Sequence, residues 1–176
     1  KLIGKYTSKI NNFNGKWETN PSKLGAYDWF NNSTYSYMWY IEDDVFSKDW
    51  DVFFNKYKDN NCDLIYKYIS EFPSWYYKNW RLGSKLHAIH LAHLYVHRVS
   101  KSFTNKLIDT IKNEPNTSHH ELFIPYVRYK YNCSYKELDV DDTKYSTTNG
   151  TGENVGYSKE FIERNESNLF HPVKIL

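Results

Sequence analysis

Only two cysteines, Cys62 and Cys133, occur in 176 residues, which permits one disulfide and excludes a disulfide scaffold. Net charge is nearly absent as well. With 23 basic and 21 acidic residues intermixed, the balance is +2, so the chain lacks the electrostatic footprint of a nucleic-acid binder. No apolar run approaches the roughly 18 residues that a membrane span requires. The opening Lys1-Leu2-Ile3-Gly4-Lys5 does not read as a signal peptide. These absences lead us to expect a soluble chain with no nucleic-acid partner and no membrane segment.

Aromatic residues are plentiful. The 17 Tyr, 10 Phe and 6 Trp make up 19% of the chain, and Tyr and Trp, with a polar handle on an apolar ring, often line sites for polar ligands such as sugars. The abundance of Lys, Asn, Tyr and Ile is also what an AT-rich genome gives. Asn-x-Ser/Thr sequons begin at Asn31, Asn32, Asn116, Asn132, Asn149 and Asn165. They fit an ER or Golgi lumen, although several arise by chance in an Asn-rich chain; the cytoplasm of a virus-infected cell fits as well, and the compartment stays open. At 21.2 kDa the length suits one domain spanning residues 1–176, with a core of useful size.

One stretch organises the rest. Tyr35-Ser36-Tyr37-Met38-Trp39-Tyr40-Ile41 suits a buried or half-buried strand, and it runs without a break into Glu42-Asp43-Asp44. Strand alternation would send Glu42 and Asp44 to one side and Asp43 to the other, unless the chain is already turning. Two close carboxylates repel by roughly 3 kcal/mol at an effective dielectric near 20. Solvation relieves that, as in an ordinary acidic turn, and so does a cation. A hard ion such as Mg²⁺ or Mn²⁺ takes one or two protein carboxylates and fills its other positions with water and substrate phosphates. In open α/β sheets, moreover, ligands bind at the carboxyl ends of strands.

Residues 1–20 are polar and broken by glycine, which reads as an irregular segment. Ser22 is a candidate cap for a helix with Leu24, Tyr27 and Phe30 on one face. After the acidic stretch, Ser47-Lys48-Asp49-Trp50 opens a second helix with a stripe of Trp50, Phe53, Phe54 and Tyr57, ending near Asp59. Asp63-Leu64-Ile65-Tyr66 then reads as a second, parallel strand, completing β-α-β. Phe72 to Lys85 is crowded with rings around Arg81 and Gly83, which suits either a pocket wall or a loop packed on its own aromatics. Ser100 caps an amphipathic helix carrying Phe103, Leu107, Ile108 and Ile111. Ser134 to Val140 alternates like an edge strand, and 141–158 reads as a flexible loop.

The histidines offer a rival site. His90, His93 and His97 would share a face of a helix and could bind zinc, with His119 and His120 nearby, as in a zinc-dependent hydrolase; on a strand they would be scattered. Glu121, three residues after Ser118, can serve as a general base, as half of a capping box, or as both at once.

In order and spacing, the strand ending in Glu42-Asp43-Asp44, the loop Arg81-Leu82-Gly83, His97-Arg98-Val99-Ser100 leading into a helix, Glu121 opening another, and the late His171-Pro172-Val173-Lys174 resemble GT-A-fold glycosyltransferases. The likeness is to eukaryotic and viral types with Ile-Glu-Asp-Asp-Val and His-Pro-Val-Lys motifs, over residues 22–174. It implies an α/β, Rossmann-related, mainly parallel sheet flanked by helices, with the N-terminal part abbreviated because only 41 residues precede Glu42. It also implies a nucleotide-sugar donor, such as a UDP-sugar, and a carbohydrate or glycoprotein acceptor. Asp44, His171 and Glu42 would hold Mn²⁺ or Mg²⁺; Asp43, Gly83, Arg81 and Lys174 would contact the donor; Glu121 would be the base. A catalytically degenerate carbohydrate-binding domain is the remaining alternative.

Overall fold

The computed structural model describes residues 21–69, 91–113, 120–139, 143–145 and 156–173. Its contacts divide them into two units, one made of 21–40, 62–69, 91–113 and 120–136, the other of 41–61, 137–139, 143–145 and 156–173. The fold is mixed α/β, with parallel and antiparallel strand pairs and flanking helices.

Helix α1 (Pro21–Asn31) begins with a proline, whose fixed φ suits a first helical turn. Ser22, expected as the cap, therefore lies inside the helix. Leu24, Tyr27 and Phe30 form the expected buried face. At the other end Lys101 Nζ donates to the carbonyls of Phe30, Asn31 and Ser33 at 2.6, 3.1 and 2.6 Å, placing a cation where the helix dipole is negative. That lysine opens α3 (Lys101–Asn113), so the two helices are joined end to start.

The larger sheet has the order β1-β4-β3-β5, from β1 (Tyr37–Ile41), β3 (Leu64–Ile69), β4 (Leu91–Ser100) and β5 (Tyr135–Glu137). The aromatic strand β1 is half-buried from Met38 to Ile41, one of the two states expected of it, and among the described strands it lies at an edge, with Tyr37 exposed beneath the Arg98 guanidinium (4.3 Å to the ring centre). The segment from Leu64, expected as a second parallel strand, is β3, and it pairs antiparallel with its neighbour β4, Leu64 opposite Val99 and Lys67 opposite His93. An apolar alternation fixes which face is buried but says nothing of strand direction. The edge strand expected within Ser134 to Val140 is β5.

Ser100 caps α3 as its position predicted. Its Oγ accepts from Phe103 N (3.0 Å) and donates to Asp63 Oδ1 (2.8 Å). The other Asp63 oxygen accepts from Ser134 N and Oγ at 3.1 and 3.0 Å, so one carboxylate fastens the starts of β3 and α3 and the approach to β5. Phe103, Leu107 and Ile111 meet Leu24, Tyr27 and Phe30 in the core. Each such side chain contributes about 1.5–3 kcal/mol through burial. Helix α4 (His120–Lys130) is longer than the short helix expected, and Pro125 lies within it.

In the second unit, Ser47 does not open a helix. Phe46–Ser47 form β2, and α2 (Trp50–Tyr57) starts after Asp49, whose Oδ1 accepts from Asp51 N (2.9 Å) and Val52 N (3.0 Å). Of the predicted stripe, Phe53 and Tyr57 are buried, while Trp50 stacks on Phe54. A small sheet of order β2-β7-β6 joins β2 antiparallel and β6 (Thr143–Tyr145) parallel to β7 (Leu169–His171). The presumed loop 141–158 thus contains a strand, and Tyr157 also bridges to Val173. Short helix α5 (Lys159–Arg164) follows, capped by Ser158. Both cysteines are free thiols. Among the described residues no helix is long and apolar enough to cross a membrane.

Candidate metal centre

Strand β1 ends at Ile41 because the next side chains are three carboxylates, and the backbone turns there, with Val45 N donating to Glu42 O (3.2 Å). The turn delivers the chain into β2, whose partner β7 sets Phe46 opposite Phe170 and Ser47 opposite Leu169. Just beyond β7, Val173 N donates to Asp44 O (2.9 Å). A histidine 127 positions after Asp44 therefore returns to the acidic turn.

His171 Nε2 lies 3.3 Å from Asp44 Oδ1 and 3.9 Å from Glu42 Oε2. One donor atom from each of the three lies within 4.8 Å of the others, a group that could hold a metal ion. Side-chain exposure is graded: His171 8%, Glu42 22%, Asp44 43%, so the imidazole forms the floor and the carboxylates face outward to water. Asp43 is exposed and is not part of the group. Two ligands about 2.1 Å from a six-coordinate ion are about 3.0 Å apart when adjacent and about 4.2 Å apart when opposite. The separations from His171 to the two carboxylates fall within that range, and the donor chemistry fits a divalent ion. Oxygen ligands suit Mg²⁺ and Mn²⁺, and the imidazole nitrogen favours the transition ion.

Comparison of the chain with protein-family models, with curated proteins and with solved structures finds no match.

The remaining candidates lie elsewhere. Arg81, Gly83, Lys174, His90 and His119 are outside the described residues. Glu121 sits in the first turn of α4, in the first unit, and is 8% exposed. His93 and His97 lie on strand β4, not on a helix. His97 is fully buried: its Nδ1–H donates to Leu94 O (2.9 Å), Tyr27 OH donates to its Nε2 (2.6 Å), and Tyr40 stacks on the ring at 5.3 Å. Burial, reinforced by the charge of Lys23, lowers its pKa to about 3 despite the Leu94 bond, so the ring is neutral at pH 7. Both nitrogens are engaged within the protein, which leaves His97 none for zinc. His120 Nε2 lies 2.9 Å from Lys23 Nζ. The only group among the described residues that could hold a metal is the one at Asp44.

Lys23 escaped the sequence reading. It is fully buried on α1, with its ammonium 5.3 Å from the centre of the Tyr40 ring as well as beside His120. Lysine is rarely buried unless paired. The available signal was its spacing: Lys23 and Tyr27 are four residues apart, one helical turn, beside Leu24 on the face that meets the core.

Proposed function

We propose that the protein is a metal-dependent glycosyltransferase, moving a sugar from a nucleoside-diphosphate donor such as a UDP-sugar to a hydroxyl of a carbohydrate or glycoprotein acceptor. The observation that carries the proposal is the meeting of Asp44, Glu42 and His171 at the end of an acidic turn. Those three side chains would hold Mn²⁺ or Mg²⁺. A bound ion would supply positive charge to offset the negative charge that grows on the departing diphosphate. His171, on the buried side, fixes one ligand direction, while the more exposed Asp44 and Glu42 leave the outer side open to donor phosphates and water. Asp43, exposed beside them, is an acceptor suited to a ribose hydroxyl, and Arg81, Gly83 and Lys174, outside the described residues, would be donor contacts in this reading. Glu121 would take the proton of the acceptor hydroxyl.

The 3.3 Å separation of His171 from Asp44 also favours a second reading, a non-catalytic carbohydrate-binding domain in which the His171 side chain ties down the acidic turn through its direct contact with Asp44. One experiment separates them. Mn²⁺ is titrated into the protein with and without UDP and free ion is followed by electron paramagnetic resonance, while a panel of nucleotide sugars is screened for turnover. The transferase requires saturable Mn²⁺ binding that UDP tightens, and turnover that Glu121→Gln largely removes while donor binding persists. Absence of saturable binding supports the second reading.

A further inference from the structure

The acidic turn and His171 approach each other because two chain segments are held in register, and one side chain adds three hydrogen bonds to that register. Asn168 precedes β7. Its Oδ1 accepts from Asp49 N (2.9 Å) and from Ser47 Oγ (3.3 Å), and its Nδ2 donates to Asp49 O (3.0 Å). Its own carbonyl accepts from Lys48 N (2.9 Å). The side-chain amide therefore pairs with both the N–H and the C=O of one residue, as a neighbouring strand would, and extends the β2/β7 ladder one step beyond Ser47 and Leu169. At the other end of the ribbon the Val173 N to Asp44 O bond closes it. His171 and the carboxylates lie at that closed end, and Asn168 anchors the open one.

We infer that Asn168 is a positioning residue for the metal centre: its amide clamp on Asp49 fixes the register that holds His171 opposite Asp44 and Glu42. The inference rests on the reading of those three residues as metal ligands. A one-residue slip of β7 against β2 would turn His171 to the other face of the strand, because side chains alternate. The three side-chain hydrogen bonds oppose that slip, adding to the two paired positions of β2 and β7 and to the backbone bonds from Lys48 N and Val173 N. Asn168 is polar and half-buried, is not among the three side chains that could hold an ion, and would act through geometry.

The test is Mn²⁺ affinity, read by electron paramagnetic resonance well below the melting temperature of each protein, with near-ultraviolet circular dichroism as the check on folding. Asn168→Ala removes all three side-chain bonds and is expected to weaken Mn²⁺ binding about tenfold or more, the range found when supporting partners of metal ligands are removed. Asn168→Asp keeps the acceptor for Asp49 N but loses the donor to Asp49 O, and should fall between Asn168→Ala and the unaltered protein; it carries the comparison if the alanine variant does not fold. Tyr57→Phe is the control. It removes the acceptor of Asp139 N (3.2 Å) in the same unit, away from the ribbon, and should lower stability while leaving Mn²⁺ affinity within about twofold. If Asn168→Ala melts earlier yet binds Mn²⁺ as well as the unaltered protein does, the residue is merely structural and the inference is overturned. If the unaltered protein itself shows no saturable Mn²⁺ binding, the metal reading fails first and takes the inference with it.

Discussion

His97 and His171 show what separates a histidine that builds from one that can act. In the first unit, His97 has a carbonyl on one nitrogen and a phenol on the other, both supplied by the core, and burial keeps it neutral. In the second, His171 sits at the floor of a turn with Nε2 aimed at two carboxylates that still reach water. Burial alone does not distinguish them, since both rings are largely shielded. The partners do. An imidazole whose lone pair already accepts a hydrogen bond within the core has nothing to offer a cation, whereas one facing carboxylates can share an ion with them.

Acid should break this contrast most strongly. His97 titrates near 6.5 when unfolded and near 3 when folded, so below pH 6.5 the unfolded chain takes up a proton that the folded chain refuses. This group therefore removes stability as pH falls, by about 1.4 kcal/mol per pH unit, on the order of 5 kcal/mol by pH 3, with no further loss below that. Urea unfolding midpoints of the unaltered protein and His97→Phe, followed from pH 7 to pH 4, check it: the unaltered protein should lose stability faster, and parallel curves would refute the assignment.

At neutral pH, His97→Phe should itself cost about 2–4 kcal/mol, because Tyr27 OH loses its acceptor and Leu94 O its donor in a dry core. The same urea experiment at pH 7 reads this directly. On the other side of the comparison, Asp44→Asn should weaken Mn²⁺ binding at least about 100-fold, or about 2.7 kcal/mol, while stability without metal changes little at this partly exposed position. A variant that binds Mn²⁺ normally would remove Asp44 from the centre. The smallest effect belongs to Lys56→Ala. Its pair with Asp139 at 2.6 Å is well solvated on both sides and should be worth under about 1 kcal/mol, as a thermal melt at two salt concentrations would show.

Local signals in the sequence carried far where physics is local. The Ser100 cap and the spacing of Phe103, Leu107 and Ile111 predict α3 because capping and helical periodicity act within one or two turns. The acidic triplet after an aromatic strand left open whether the strand continued or turned, and the chain turns there; His171 was brought to it only through the likeness of its motif. What was hidden depends on partners remote in sequence. Nothing in Leu64 to Tyr66 states that the neighbouring strand runs the other way, and nothing in Tyr37 to Ile41 separates an edge from a centre, since Tyr and Trp serve at both. Residues 143–145 read as loop because three residues carry too little pattern; their strand exists only because β7 lies alongside. Lys23 was hidden because a partner of its buried ammonium, His120, lies 97 positions away.

The Asp63 carboxylate gives the first unit a shared fastening. Because it grips Ser100 with one oxygen and Ser134 with the other, the ends of a strand, a helix and a turn converge on one anion. None of the three can fray without loosening the other two, so the unit should come apart in one concerted event, and amide protons near positions 64, 103 and 134 should exchange with solvent at a common rate.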